Sequence, residues 1–317
     1  MYQYILERCF VIILLISATY YHFKLGLVVC FIIIIYLTTK QNNYIDSSIE
    51  SFNANTNTNI ENDEDCNIVK IPSVNINTYT IYTAIIVEPR KHKALPFVLQ
   101  NFTENLTEEW NFMIYHGTEN ENMVKSIISS FSENVKNRIT LINLKVKNLN
   151  ISKYSTMFFC PTFYDNIPTE TFLIFQTDSM ILRENKDKIY DFIKYDYVGA
   201  PWPKSMGGVW GKIGVGNGGL SLRKKSKMME LLQYKELGIE HGQHGKYVAE
   251  DIFFCGYLTP KVNVYKPTFI KAKEFSVECV FNNAPFGIHK CWPNLNVNES
   301  DELYGLYPEI KILKNLQ

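Results

Sequence analysis

Residues 78–88 read TYTIYTAIIVE, a run rich in β-branched and aromatic residues with an unbroken apolar centre. Such a run predicts a buried strand. Outward from it the pattern alternates. Pro89 to Lys93 is a basic turn, and Leu95 to Leu106 has helical spacing with Pro96 in its first turn. NFMIYH at 111–116 is a second strand, and Met123 to Phe131 is a short amphipathic helix. Ile139 to Val146 is a third strand, Lys153 to Tyr164 a helix, and TFLIFQ at 171–176 a fourth strand. Strands alternating with helices predict an α/β domain with a mostly parallel, twisted sheet flanked by helices. Ligands of such sheets gather outside the carboxyl ends of the strands.

Composition narrows the class. The chain has 317 residues, with Lys+Arg and Asp+Glu both 32. Zero net charge speaks against a nucleic-acid partner held by bulk positive charge. Hydrophobic residues at 46% and charged residues at 20% exclude wholesale disorder. Seven Cys are too few and too scattered for a disulfide scaffold.

Two apolar runs stand at the start, CFVIILLISATYY (9–21) and LGLVVCFIIIIYL (25–37). Each is shorter than the roughly 20 residues needed to span a bilayer, and only His22, Phe23 and Lys24 separate them. Residues 1–40 are therefore read as a membrane anchor, either one long tilted helix or two short ones forming a hairpin. A buried helical hairpin is the competing reading. Glu7, Arg8 and Lys40 set no clear charge asymmetry, so orientation stays open. Residues 41–77 form a flexible stem, because the Asn-, Ser- and acid-rich stretch 41–67 cannot bury enough surface to offset its ordering entropy. Residues 78–317 make the domain.

The chemistry-bearing residues follow the strands. The fourth strand runs into Gln176-Thr177-Asp178-Ser179. An acid just past a buried strand suits a hard divalent cation, or simply a turn. Seven of the 16 glycines fall between Gly207 and Gly219. Gly214-x-Gly216-x-x-Gly219 matches the dinucleotide fingerprint, but it neither follows a strand nor opens a helix directly. A loop that lets the backbone approach a ligand fits better. Trp202 and Trp210 flank it, as packing anchors or as a stacking face for a sugar. Glu250-Asp251 opens a helical stretch; the acids either complement the helix dipole or supply a general base. His289 is a structural hydrogen-bonder or a ligand beside a metal-binding acid.

Six pieces in order, FLIFQTDSMIL, YDYVGAPW, GVGNGGLSLRKKSKM, EDIFF, AKEFSVE and PFGIHKCW, resemble the DUF5672 family of glycosyltransferase-like domains, and GT-A glycosyltransferases more broadly. The match spans roughly 79–293. The resemblance implies a GT-A-like fold that uses a nucleotide-sugar donor and an acceptor on a glycan, protein or lipid. Asp178 stands where that group places the last acid of its Asp-x-Asp motif for Mn2+ or Mg2+, with Gln176 in place of the first acid. Asn217, Gly218, Gly219, Ser221 and Arg223 look like the donor- and acceptor-binding loop. Glu250-Asp251 looks like the catalytic pair, with Asp251 favoured as the base. His289 is similar to a late metal-site His, and Glu88 and Arg90 lie where the nucleoside binds. The implied protein is a membrane-anchored glycosyltransferase. A catalytically inactive glycan- or nucleotide-binding module and a nucleotidyltransferase are the alternatives.

Sequons at Asn101, Asn105, Asn150 and Asn298 suit a lumenal, Golgi-type orientation. Cys279 and Cys291 are expected either to bridge or to remain free thiols.

Overall fold

The computed structural model describes residues 80–242 and 246–317. The anchor and stem predicted for residues 1–77 lie outside the described residues. Among the described residues, no helix is long and apolar enough to cross a membrane.

Among the described residues there are nine strands: β1 (Tyr82–Val87), β2 (Trp110–His116), β3 (Ile139–Asn143), β4 (Thr171–Phe175), β5 (Ser179–Ile181), β6 (Tyr197–Gly199), β7 (Leu220–Lys224), β8 (Ser276–Val277) and β9 (Gly287–His289). The main sheet has the order β3-β2-β1-β4-β7-β6. The pairs β1–β2, β1–β4 and β2–β3 are parallel; β4–β7 and β6–β7 are antiparallel. The fold is thus α/β with a mostly parallel sheet, as the alternation predicts. β1 lies in the interior of the sheet, and Ala84, Ile85 and Ile86 are almost fully buried. Burial on both faces explains why the strand reads as a continuous apolar run rather than an alternation.

Each face of the sheet carries its own apolar layer. One packs Leu95, Val98, Leu99 and Phe102 of the helix Leu95–Asn105 over Ala84, Ile86, Phe112 and Phe175. There the rings of Phe102 and Phe175 stack 3.9 Å apart. The other gathers Ile85, Tyr115, Phe158, Phe163, Phe172 and Phe253.

Three stretches differ from the sequence reading. The helix predicted over Lys153–Tyr164 is two, Ile151–Phe158 and Pro161–Asp165, because Pro161 takes a first-turn position in the second. GVWGKI (208–213) is a short helix capped at its two ends by Gly207 and Gly214, both at positive φ. β6 and β7 complete the sheet in a stretch assigned no strands, and the Gly-rich segment runs into β7, not into a helix. Of the two states expected of Cys279 and Cys291, the free thiol is the one found for both.

The small sheet β5-β9-β8 decides the site. Ser179 of β5 pairs with His289 of β9, and the Lys290 N–H donates to the Asp178 carbonyl at 2.9 Å. Residues more than 100 positions apart in sequence are thereby set side by side. The Asn101 side chain holds β5 from behind: it donates to the Ile181 carbonyl at 3.0 Å and accepts from its N–H at 2.8 Å. Asn105 donates to the Asn101 carbonyl at 2.7 Å. Two of the four sequon amides are therefore used inside the fold.

Candidate functional site

A cleft of about 340 Å³ opens at the carboxyl ends of β1 and β4, where the parallel topology directs a ligand. Its wall includes Glu88, Arg90, Gln176, Asp178, Asn217, Gly218, Gly219, Glu250, Asp251 and His289. Ten residues singled out from sequence thus share one cavity. Trp202, Ser221 and Arg223 stand behind it.

The loop before β7 is the tightest part. Gly218 and Gly219 thread between the Glu250-Asp251 turn and the His289 ring. A methyl at Gly218 would overlap the Glu250 carboxylate, and one at Gly219 would overlap the His289 imidazole. Glycine is required here by close approach, not by an unusual φ. The Asn217 side chain braces the loop by accepting from the Gly219 N–H at 3.0 Å.

Glu250 is fully engaged. Arg223 grips it with two charge-assisted hydrogen bonds, Nη1 to Oε2 at 2.7 Å and Nη2 to Oε1 at 3.1 Å. The guanidinium also donates from Nε to Ser221 Oγ at 2.9 Å and lies over the rings of Phe158 and Tyr197. Both partners are buried. Burial works against the Arg223 charge, but the Glu250 carboxylate outweighs it and holds the guanidinium above its ordinary pKa. Both oxygens of the Glu250 carboxylate are thus occupied by the guanidinium.

Asp251, its neighbour, differs. Its carboxylate accepts from the Gly218 N–H at 3.3 Å and from the Ile252 N–H at 2.9 Å, and among the described residues it forms no ion pair. Burial and then the nearby Glu250 charge push its pKa up to about 7. That is the range in which a general base works best at neutral pH.

Across the cleft, His289 Nε2 lies 3.2 Å from Asp178 Oδ1, and Nδ1 lies 3.3 Å from Glu278 Oε1. Burial alone would lower the His289 pKa; the two carboxylates raise it to about 10. Burial would raise that of Asp178, but His289 and Lys290 bring it below its ordinary value. The ring is at ion-pair distance from both acids yet aligned for a hydrogen bond with neither. Asp178 Oδ1 and both His289 nitrogens are buried without an aligned hydrogen-bond partner among the described residues.

An oxygen and a nitrogen side by side on a cleft wall, neither with an aligned partner, fit two ligands of a divalent cation such as Mn2+, which would displace the proton that the ring holds between its two acids. No group of three or more His, Cys, Asp or Glu side chains suited to a metal occurs among the described residues.

Gln176 does not face a cation as a charged ligand; its amide donates to the Tyr154 hydroxyl at 3.0 Å. At the opposite end of the cleft Glu88 is buried, and Arg90 folds back on it through Nε at 2.8 Å and Nη2 at 2.7 Å. Trp202 is almost fully buried, with its indole N–H on Glu278 Oε2 at 3.1 Å. Of its two readings, packing anchor and stacking face, burial against Gly216 fits the anchor. Tyr154 and Glu278 were missed from sequence. Glu278 closes the quoted run AKEFSVE, and its two neighbours in β8 gave too short a strand to recognise.

Residues 138–289 match the model of the family described as "Protein of unknown function (DUF5672)", so the resemblance drawn from the six motifs holds over that stretch. Several glycosyltransferase structures are similar to the chain. One is the galactosyltransferase LgtC in complex with donor and acceptor sugar analogs, with 13% identity, a TM-score of 0.48, and coverage of 74% of this chain and 95% of that one. Another is the mannosyltransferase PcManGT from Pyrobaculum calidifontis in complex with GDP-Man and Mn2+, with 12% identity, a TM-score of 0.43, and coverage of 64% and 60%. S. aureus TarS 1-349 in complex with UDP-GlcNAc gives 11% identity, a TM-score of 0.40, and coverage of 74% and 66%. No curated protein matches the sequence.

Proposed function

We propose that this chain is a glycosyltransferase that moves a sugar from a nucleotide-sugar donor to an acceptor hydroxyl, with Asp251 as the general base. The observation that carries the reading is the Asp251 carboxylate. It sits on the cleft wall with a pKa of about 7, while its neighbour Glu250 is locked to Arg223. Asp251 takes the proton from the acceptor hydroxyl as the oxygen attacks the anomeric carbon. The bond from that carbon to the diphosphate oxygen breaks, and its electron pair leaves with the diphosphate. Asp178 and His289 would hold Mn2+ or Mg2+, which when bound would neutralise charge on that leaving group. Gly218 and Gly219 let the donor approach the backbone, and Glu88 and Arg90 lie where the nucleoside end would rest.

Residues 1–40 are proposed as the membrane anchor and 41–77 as a stem, with the domain in a lumenal, Golgi-type compartment. The acceptor would then be a glycan, protein or lipid met at the membrane. Removing residues 1–40 should move the chain from the membrane fraction to the soluble one; retention in the pellet would overturn the anchor.

The decisive experiment follows nucleoside diphosphate release from a panel of nucleotide sugars by the full chain, with Mn2+, Mg2+ or chelator. Release from one donor, lowered ~10²–10⁴-fold in Asp251→Asn with donor affinity kept, is expected. Release of pyrophosphate instead would point to nucleotidyl transfer. Donor binding without turnover, whatever the acceptor supplied, would point to a recognition module.

A further inference from the structure

Behind the cleft lies a carboxylate to which the mechanism above gives no part. Glu278 stands at the end of β8 and is not in the cleft wall, yet it reaches two residues that are. Its Oε1 accepts from Asn217 Nδ2 at 2.9 Å and lies 3.3 Å from His289 Nδ1. Its Oε2 accepts from the Trp202 indole at 3.1 Å. Three separate segments of the chain therefore meet on one side chain.

The contacts close a circuit. Glu278 holds Asn217; Asn217 Oδ1 accepts from the Gly219 N–H at 3.0 Å; and Gly219 lies so close to the His289 ring that it leaves no room for a methyl. His289 in turn faces Glu278, with Nδ1 at ion-pair distance from Oε1. Satisfying the Trp202 indole needs only Oε2, whereas Oε1 is turned the other way, toward the two cleft residues. The Nδ1–Oε1 approach of 3.3 Å is short of an aligned hydrogen bond, but a small turn of the ring would make one, and a carboxylate on Nδ1 fixes the tautomer and orientation of a His that offers Nε2 to a cation.

We propose that Glu278 is a positioning residue. It locks the His289 ring to the Asn217–Gly219 loop, so that the cation-side pair Asp178–His289 and the donor-side loop are set by one carboxylate. The inference rests on the reading that Asp178 and His289 hold a divalent cation.

The test is Mn2+ titration of the full chain, with free Mn2+ followed by electron paramagnetic resonance and no turnover required. Glu278→Gln is expected to weaken Mn2+ binding about 10–100-fold, the usual effect of removing a carboxylate that orients a ligating His. Glu104→Gln removes an acid from an exposed ion pair with Arg183 and should leave the affinity unchanged. Should Glu278→Gln not fold, Glu278→Asp keeps the charge and shortens the reach by one methylene, and the same loss is expected. Wild-type affinity in a folded Glu278 variant would overturn this proposal and leave the glycosyltransferase reading standing. A Trp202→Phe variant that loses as much Mn2+ affinity would also overturn it, by reducing Glu278 to a support for the indole. No Mn2+ binding by the wild type at millimolar concentration would remove the cation from the parent reading, and this proposal with it.

Discussion

Replacing Arg223 by Met should unfold the site before it disables the chemistry. The guanidinium is fully buried and makes two hydrogen bonds to Glu250 and one to Ser221, with two aromatic faces against it. Methionine keeps much of the apolar contact with Phe158 and Tyr197 but leaves the Glu250 carboxylate buried and unpaired. Removing one partner of a buried pair costs roughly 3–5 kcal/mol, because the surviving charge is uncompensated. At about 2–4 °C per kcal/mol for a domain of this size, the midpoint should fall by about 6–20 °C. Glu250→Gln should cost a similar amount, now through the stranded guanidinium. The double variant Arg223→Met/Glu250→Leu removes both charges and should recover at least about 2 kcal/mol of the summed losses, since apolar replacement of a buried pair is often close to neutral. Thermal and urea unfolding of the four proteins, followed by circular dichroism, measures the cycle. Strict additivity, or a single-variant loss below about 1 kcal/mol, would refute the assignment of Glu250 to structure. Unchanged stability with lost turnover in Glu250→Gln would make Glu250 the base instead of Asp251.

Two further outcomes follow from the same geometry. The folded-state pKa of Asp251 is raised from 3.8 to about 7, so the folded state favours its protonated form. Its contribution to stability is therefore present below pH about 4 and is lost as pH rises toward 7. Activity moves the opposite way, with kcat/KM rising through an inflection near 7 as the base ionises. Asp251→Asn should remove both dependences, and a variant-to-wild-type stability difference that is equal at pH 5 and pH 8 would sink the assignment. Gly219→Ala places a methyl against the His289 ring and should abolish Mn2+ binding while the β1–β4 core stays folded; retained Mn2+ affinity by titration would show that the ring has room to move.

What the sequence disclosed and what it withheld divide along a physical line. β1, β2 and β4 are buried on both faces, so their apolar runs announce them; β3 is less deeply buried but keeps the same β-rich composition. Asp178 was found because it follows such a strand, and Asp251 because two adjacent acids open a helix. β7 was not found, and Arg223 is the reason. LSLRK carries a charge at a central, fully buried position, which no periodicity argument accepts. That charge is tolerable only beside Glu250, 27 residues later, whose carboxylate neutralises it. Glu278 was overlooked on the same ground: its partners come from positions 202, 217 and 289, and none lies within the span of a local pattern. A polar group whose cost is cancelled by a distant partner looks, locally, like a surface residue. The sequence therefore reveals the apolar frame and the acids displayed at strand and helix ends. The buried polar pairs that aim those acids become legible only once β5 and β9, or β7 and the 250–254 helix, have been brought together. The two adjacent acids show the consequence most directly: the sequence resemblance favours Asp251 as the base without a physical reason to set Glu250 aside, and one arginine on an unrecognised strand supplies that reason.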